Sequence, residues 1–299
     1  MALIGIETGG TKIVCGMSSS ASPQSLVKTE RFATADPVST FRRINEFIHA
    51  RSEVERLDAL GVASFGPVNT SQGSEGFGRI TSTPKLGWRD VDVLANIPAA
   101  ASVPTVFLHD VQAAAVGEQR WGSARGKKDA AYVTIGKGIG AGILVNGRIV
   151  GGSGWPEIGH LLVRRHPGDS YPGNCPYHGD CLEGLAAGPS VLDRWGTDAS
   201  SLSHDAQGVA VDLLAFYIAQ LVYVIVLAYG SERVVLGGGV MKTRTLLEGV
   251  RTQVGDLGRH YGPAALLEHA EAAIVAPALG DGSGVIGAAT AAHDLLIQR

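Results

Sequence analysis

The sequence predicts an α/β protein of two similarly built domains, on the strength of three observations. The chain has 299 residues, which is more than a single hydrophobic core usually organises. Short apolar strands alternate with helical segments, and this alternation favours helices layered on sheets. The same succession of elements occurs twice: a strand, a glycine turn and further strands come first, and helices follow. We interpret this repetition as a duplication of architecture rather than of sequence.

The first half is predicted to begin with an antiparallel meander of three strands. These strands are expected at residues 3–8, 12–17 and 26–33. Asp36 and Pro37 then open a helix that we expect to reach about Leu57, because proline suits the first helical positions. The remaining elements are two strands and an alanine-rich helix, expected at residues 59–64, 105–108 and 111–121.

The second half is predicted to repeat this plan with three strands joined by a glycine turn and a hairpin. These strands are expected at residues 130–135, 141–145 and 148–150. Asn146 and Gly147 form the hairpin turn, since this pair favours the left-handed backbone of a type I′ turn. Long helices at about residues 205–229 precede a last strand at 233–236, which ends in three glycines.

Composition and charge exclude several classes of protein. The 25 basic and 28 acidic side chains give a net charge of −3, so we expect no nucleic-acid partner. Residues 213–229 are apolar apart from Gln220, but they fall short of the roughly 20 residues that span a membrane. We therefore expect a buried or subunit-interface helix there. Three cysteines, an odd number, without an apparent secretory signal indicate a reducing, cytoplasmic compartment and no disulfide framework.

Two glycine turns, one in each half, are candidates for binding phosphate. The first turn (residues 9–12) and the second turn (residues 136–140) each join two strands, and glycine lets backbone N–H groups approach an anion without a Cβ in the way. Neither matches a Walker A loop or a dinucleotide-binding fingerprint, because the spacing or the following helix is absent. Each turn taken alone is equally typical of a tight hairpin. The presence of one in each half favours a pair of loops around nucleotide phosphates.

Asp110 ends an apolar strand just before a helix, and this position has two interpretations. The carboxylate can cap the helix by accepting backbone N–H bonds. It can also act as the base that accepts the proton of an attacking hydroxyl, since phosphoryl transfer needs such an acceptor beside charge neutralisation.

A cluster of histidine and cysteine residues follows the pattern H-x14-C-x2-H-x2-C. Its members are His160, Cys175, His178 and Cys181. Four such ligands in and beside one irregular loop suit tetrahedral zinc, although unrelated surface residues remain an alternative. The phosphate and base candidates lie elsewhere, so a zinc ion here is expected to be structural and to orient the flanking Glu157 and Glu183.

Several segments resemble the ROK sugar kinases, and more narrowly their zinc-containing fructokinase branch. The resemblance spans about residues 4–240 in family order and is carried most specifically by E-x-G-H together with the cysteine cluster. The matching segments are residues 4–12, 64–67, 82–88, Asp110 with 113–118, 134–142, 157–160, 175–184 and 236–240.

This resemblance implies two actin-like, ribonuclease-H-like α/β domains with the active site in the cleft between them. The expected domains are residues 1–115 with the C-terminal helix at 285–299, and residues 116–284. Asp110 matches the catalytic base, and the zinc cluster matches the structural metal site. The sugar contacts match Gly66, Pro67, Glu157, His160 and Glu183. Nucleotide contacts, with Mg-ATP as cofactor, match Gly9, Gly10, Thr11, Lys12, Gly136, Lys137, Gly138, Pro189, Gly238, Gly239 and Lys242.

The resemblance also implies the reaction, which is transfer of the γ-phosphate of ATP to a hexose, with fructose as the expected substrate. Glucose, mannose or N-acetylmannosamine are alternative substrates, and an inactive sugar-binding module is another alternative. A transcriptional regulator of the same family is not expected, because the first strand begins at residue 3 and leaves no room for a DNA-binding domain. We expect no membrane partner and a homodimer.

Three departures from the family pattern concern the site itself. Glu7 stands where many relatives have aspartate, and Lys137 replaces a threonine. His109 and Gln112 replace asparagines around Asp110. These changes leave the reaction class in place and bear on the identity of the sugar.

Overall fold

The structure, a computed structural model, describes residues 2–151, 156–258 and 269–298. Backbone contacts group these residues into two compact units. The first unit contains residues 2–122 and 281–298, and the second contains 123–150, 156–258 and 269–280. The exact domain bounds given above stay a prediction.

The first unit contains a five-stranded sheet in the order β3-β2-β1-β4-β5. Its strands are β1 (Ala2–Thr8), β2 (Lys12–Ser19), β3 (Lys28–Ala33), β4 (Leu57–Ser64) and β5 (Thr105–His109). Its helices are α1 (Pro37–Ser52), α2 (Ala99–Ser102), α3 (Asp110–Trp121) and α9 (Ser283–Ile297). Strands β1, β4 and β5 run parallel, whereas β2 and β3 pair antiparallel as the predicted meander.

Helix α9, near the C-terminal end of the chain, packs tightly on the first sheet. An added Cβ on Gly61 of β4 would lie 1.9 Å from the carbonyl oxygen of Ala288. An added Cβ on Gly287 would lie 1.7 Å from the carbonyl oxygen of Ala113 in α3. These two glycines are required because the backbones approach too closely for any side chain. The first unit is therefore assembled from both ends of the chain.

The second unit repeats the plan, with a sheet in the order β10-β9-β6-β7-β8. Its strands are β6 (Ala130–Ile135), β7 (Ile139–Val145), β8 (Arg148–Ile149), β9 (Arg233–Gly237) and β10 (Ile274–Val275). Its helices are α4 (Leu182–Ala186), α5 (Gly188–Trp195), α6 (His204–Tyr229), α7 (Leu246–Gly258) and α8 (Ala270–Ala273). Strands β6, β9 and β10 are parallel, and β6-β7-β8 is the meander. The predicted α/β architecture of two similar sheets is confirmed.

Helix α6 forms much of the core of the second unit. By length and composition alone it could cross a membrane, but 61% of its most apolar window is buried within the protein. Fully buried residues such as Leu214, Tyr217 and Val222 lie in one cluster with strands β6 and β9. A helix that is apolar on nearly all sides is expected in such a position, so α6 has the character of a core helix.

The predicted start of α1 and the predicted hairpin turn are confirmed, but the predicted end of α1 is wrong. Asp36 caps α1 by accepting the Ser39 N–H at 2.9 Å, and Asn146 and Gly147 both have positive φ. Helix α1 ends at Ser52 and not near Leu57, where β4 begins. The reason is that Leu57 is buried in the core as the first residue of the strand, and the chain must turn before it. Helix α7 was not predicted.

Candidate active site and metal centre

Three segments of the first unit meet because parallel strands end at the same edge of the sheet. In the ladder, Thr8 pairs with Ser64, and Ser64 pairs with His109. The first glycine turn, the Gly66-Pro67 segment and Asp110 follow these strand ends directly. The carboxyl ends of parallel strands are the usual place for ligands in α/β sheets. The register of β1, β4 and β5 thus gathers the predicted base, one sugar contact and one phosphate turn.

Asp110 is the first residue of α3, and both contacts of its carboxylate involve the same oxygen atom. Oδ1 accepts the backbone N–H of Val111 at 2.7 Å, and Nδ1 of His109 lies 2.6 Å from the same atom. The helix N-cap falls on His109, whose backbone N–H donates to Gln112 at 3.0 Å. The capping interpretation of Asp110 therefore holds only in part.

The imidazole of His109 also explains the glycine at position 66. An added Cβ on Gly66 would lie 2.3 Å from Nε2 of His109, so no side chain fits between them. The Gly66-Pro67 peptide bond is cis. The carbonyl oxygen of Pro67 accepts hydrogen bonds from both the backbone N–H and the hydroxyl of Thr81, at 2.8 and 3.2 Å. Two residues predicted for the sugar site thus lie beside the predicted base.

The carbonyl groups of the first turn are all engaged by donors of the same unit. The hydroxyl of Thr34 donates to Gly9 at 2.6 Å, and its backbone N–H donates to Thr11 at 2.9 Å. The ammonium of Lys85 donates to Gly10 at 2.9 Å. Within the described part of the chain, the N–H groups of Gly10 and Thr11 have no protein acceptor. A turn with occupied carbonyls and available N–H groups is suited to an anion.

Glu7 brings a second carboxylate close to Asp110. Burial, and after it the charge of Asp110, raises the pKa of Glu7 to about 7, against the lowering effect of Lys12, the Val285 backbone N–H and Arg31. Its Oε2 atom is enclosed without a hydrogen-bond donor among the described residues. The Glu7 carboxylate therefore binds a proton more tightly than an exposed glutamate does.

The second turn lies at the corresponding edge of the second sheet. Thr134 of β6 pairs with Gly237 of β9, so the second turn and the glycines after β9 share this edge. The N–H of Gly188, at the start of α5, donates to the carbonyl of Gly136 at 2.7 Å. Gly238 has φ of +95° and its added Cβ would lie 2.3 Å from the Ile135 carbonyl oxygen, so only glycine fits.

The other residues predicted for this nucleotide side are distributed around the same elements. Pro189 lies in the first turn of α5, next to Gly188. Gly239 precedes the 3-10 turn Val240–Lys242, and Lys242 is its last residue. Lys137 is exposed at the tip of the second turn.

Glu183 links the second turn to the histidine and cysteine cluster. Its Oε2 accepts the backbone N–H of Ile139 at 2.8 Å, and its Oε1 lies 4.0 Å from Nε2 of His160. An added Cβ on Gly138 would lie 2.7 Å from Oε2 of Glu183, which accounts for the glycine there. Glu157 is exposed and immediately precedes the 3-10 turn Ile158–His160. The structure thus brings Glu183 and His160 together beside the second turn.

The four predicted metal ligands converge in the second unit. One donor atom from each of His160, Cys175, His178 and Cys181 lies within 4.8 Å of all the others. The sulfur atom of Cys175 is 3.7 Å from Nδ1 of His160 and 3.8 Å from Nδ1 of His178, and that of Cys181 is 3.5 Å from Nδ1 of His160. Tetrahedral zinc with bonds of about 2.0–2.3 Å separates its ligand atoms by about 3.3–3.8 Å. The cluster therefore fits such an ion.

The Cys/His loop (residues 161–181) contains no helix or strand, as predicted, and a buried ion pair holds it. Arg194 of α5 donates to both carboxylate oxygens of Asp169 at 2.6 and 2.8 Å, and the Tyr217 hydroxyl of α6 donates at 2.6 Å. Burial would raise the pKa of Asp169, but these donors hold it well below its usual range. The guanidinium also lies over the ring of Tyr171. This ion pair was not predicted from the sequence.

Comparisons with known proteins agree with this geometry. The ROK family model matches residues 3–295 of the chain. The chain is 36% identical over 286 residues to the fructokinase of Zymomonas mobilis subsp. mobilis, covering 95% of this chain and 93% of that protein. It is 37% identical over 287 residues to the fructokinase of Streptococcus mutans serotype c, covering 94% of each.

The fold has close relatives among solved structures. The ROK hexokinase from Thermus thermophilus superposes with a TM-score of 0.79 at 23% identity, and the match covers 100% of both chains. At this identity the likeness establishes the fold, which is that of the ROK sugar kinases.

Proposed function

Since the chain belongs to the ROK family, we propose that it is an ATP-dependent fructokinase that converts ATP and D-fructose to ADP and D-fructose 6-phosphate. The observation that carries the proposal is the arrangement at the edge of the first sheet, where Asp110, held by His109, lies beside the turn that offers N–H groups to an anion. The fructokinase names of relatives with 36% and 37% identity over nearly the whole chain support fructose as the sugar.

We assign to Asp110 the removal of the proton from the attacking sugar hydroxyl. Both of its contacts use Oδ1, so Oδ2 is the atom assigned to accept that proton. The contacts with the Val111 N–H and with His109 fix the orientation of the carboxylate. The oxygen of the deprotonated hydroxyl then attacks the γ-phosphorus, and the bond to the β-phosphate oxygen breaks.

The remaining groups are assigned to binding and charge neutralisation. Gly9, Gly10, Thr11 and Lys12, with Gly136, Lys137 and Gly138, bind the nucleotide phosphates. Pro189, Gly238, Gly239 and Lys242 are assigned to the adenosine side. Mg²⁺ bound with ATP supplies further neutralisation of the phosphate charge. Gly66, Pro67, Glu157, His160 and Glu183 are assigned to the sugar.

We further propose that the histidine and cysteine cluster binds structural zinc and that the protein is a cytoplasmic homodimer. The ligand distances of 3.5–3.8 Å support the zinc assignment. Elemental analysis should give about one zinc per chain, and a preparation without zinc would contradict it. Light scattering should give about twice the mass of the 31.0 kDa chain.

The activity is tested by ADP release with Mg-ATP across fructose, glucose, mannose and N-acetylmannosamine. We expect fructose to give the highest kcat/KM. Asp110→Asn should lower kcat by at least about 1000-fold while fructose binding, followed by calorimetry, remains. Asp205→Asn, at an exposed position in α6, is the matched control and should behave as the wild type. A near-normal rate for Asp110→Asn would refute the base assignment.

A further inference from the structure

Lys85 reaches the first turn from a distant part of the sequence. Its Nζ atom donates a hydrogen bond of 2.9 Å to the carbonyl of Gly10, 75 residues away in the chain. The lysine belongs to residues 81–88, which include the segment 82–88 that carries part of the family resemblance. Nothing in the proposed mechanism so far uses this side chain.

The 81–88 segment is fixed at both ends, so the position of Lys85 is defined by the fold. At one end, Thr81 donates twice to the Pro67 carbonyl, which belongs to the predicted sugar contacts. At the other end, Trp88 is fully buried, and its indole N–H donates to the Ala35 carbonyl at 3.0 Å. The Trp88 ring packs against Phe41 and Phe65, with centroids 5.7 and 5.2 Å apart.

The backbone between Thr81 and Trp88 also makes local hydrogen bonds on both sides of Lys85. The N–H of Lys85 donates to the Thr83 hydroxyl at 3.3 Å, and its carbonyl accepts the N–H of Trp88 at 3.1 Å. A lysine side chain normally loses much rotational freedom when it is ordered. Here the anchored backbone and the hydrogen bond hold the half-buried side chain against the middle carbonyl of the turn.

We infer that Lys85 is a positioning residue for phosphoryl transfer, because it orients the Gly10 peptide so that the turn presents its N–H groups to the nucleotide phosphates. This inference rests on the proposed function. The Thr34 contacts fix the carbonyls of Gly9 and Thr11, and Lys85 is the donor to the carbonyl between them. Without it, the Gly10 peptide is free to rotate and to turn its carbonyl oxygen, a partial negative charge, towards the phosphates. The ammonium also adds positive charge beside the first turn.

The contact gives a physical reason for a cation at this position. A neutral donor would orient the carbonyl, but a charged donor makes a stronger hydrogen bond and also lowers the electrostatic cost of bringing a polyanion to the turn. Because the same segment is bonded to the Pro67 carbonyl, the phosphate turn and the predicted sugar contact share one rigid support within the first unit.

The test compares Lys85→Met, which keeps the aliphatic stem, with Lys85→Arg, which keeps the charge and the donors. Lys28→Met removes one exposed lysine from β3 of the same unit and is the matched control. Three quantities are measured for each protein: the KM for Mg-ATP, the KM for fructose, and hydrogen exchange of the peptide that covers the first turn.

For Lys85→Met we expect the KM for Mg-ATP to rise about tenfold, the KM for fructose to stay within about twofold, and amide exchange in the turn to accelerate. Lys85→Arg should recover most of the nucleotide affinity, and Lys28→Met should match the wild type. A Lys85→Met enzyme with unchanged KM for Mg-ATP would overturn the inference. Equal loss of both substrates together with a lowered melting temperature would overturn it as well, since that pattern indicates general loss of structure.

Failure of the proposed function is distinguishable from failure of this inference. If the wild type phosphorylates none of the sugars, the kinase proposal fails, and Lys85 is judged by Mg-ADP binding in calorimetry. About tenfold weaker Mg-ADP binding by Lys85→Met, with recovery by Lys85→Arg, would still support its role at a phosphate-binding turn. Equal Mg-ADP affinities would remove that role.

Discussion

The two glycine turns look alike in the sequence, but they are held in different ways. In the first turn, side chains from a neighbouring strand end and from a fixed segment, Thr34 and Lys85, occupy the carbonyl groups. In the second turn, the backbone N–H of Gly188 and the carboxylate of Glu183 hold the chain. Glu183 lies two residues after the end of the Cys/His loop, so the second turn depends on the order of that loop.

Two turns of similar local geometry can therefore be held in place by parts of the protein that differ in stability. The first turn is tied to a sheet with a buried core and should stay ordered wherever the first unit is folded. The second turn depends on a segment without helix or strand, which is fixed by the histidine and cysteine cluster and by the Asp169–Arg194 pair. The largest effects of perturbation are therefore expected in the second unit.

Metal removal should give the largest effect and the clearest contrast between the turns. Under the zinc proposal, chelation of that ion should destabilise the second unit by on the order of 5 kcal/mol, because the ion would tie four ligands in and beside an irregular loop. Hydrogen exchange should accelerate at residues 134–140 and remain unchanged at residues 8–12. Equal acceleration in both regions would show that the turns do not have separate supports. Re-addition of zinc is the control for reversibility.

Asp169→Asn should be the next most damaging change. It leaves Arg194 buried, at 7% side-chain exposure, without its charge partner, and breaking one side of such a pair costs about 3–5 kcal/mol. Because the pKa of Asp169 is lowered, its contribution is present above about pH 4 and declines only as the pH falls further. Urea unfolding monitored by hydrogen exchange in the second unit is the measurement. Asp205→Asn serves as the control, and a loss below about 1 kcal/mol would contradict the support role.

Glu7→Gln probes the first unit and should have a pH-dependent effect. Because the pKa of Glu7 is raised to about 7, the folded protein binds the proton more tightly, and its stability falls as the pH rises from about 4.5 to 7. The Glu7→Gln variant lacks this penalty. The difference between its unfolding free energy and that of the wild type should therefore rise by about 2 kcal/mol in favour of the variant from pH 5 to pH 8. Glu46→Gln, on exposed α1, should show no such trend. A constant difference across this range would mean that Glu7 is not perturbed.

Gly138→Ala should give the smallest of these effects and sharpen the comparison within a single turn. The new Cβ would displace Oε2 of Glu183 and leave the Ile139 N–H without its acceptor, at a cost of about 1 kcal/mol. Gly136→Ala is the matched control, because its Cβ meets no atom within 4 Å. Equal denaturation midpoints of the two variants would show that the Glu183 contact does not support the turn.

Much of the fold was predictable because it is encoded locally. The strand runs, Asp36-Pro37 and Asn146-Gly147 each carry a short-range signal for a strand, a helix start or a turn, and the structure agrees. The end of α1 was not predictable, since the apolar residues around Leu57 fit either a helix face or a strand. The choice was made by burial of Leu57 in the sheet.

In the candidate site, too, some features were predictable from the sequence and others were not. The histidine and cysteine spacing marks a metal site because both residue types are uncommon and bind metal, and the structure brings all four donors together. The contact of Lys85 with Gly10 and the Asp169–Arg194 pair join residues 75 and 25 positions apart, and neither has a local pattern. One lysine or aspartate in a loop resembles any solvated charge until its partner is known.

The sequence by itself determined the α/β class, the repeated plan, the two glycine turns and a candidate set of metal ligands, because residue type and spacing over short distances are sufficient for each. Only the tertiary structure decided that Lys85 donates to the first turn, that Glu183 links the second turn to His160, and that burial of Glu7, with Asp110 close by, raises its pKa to about 7. The physical reason is that hydrogen bonds and charge interactions depend on distances between atoms, and strand register and loop packing set those distances.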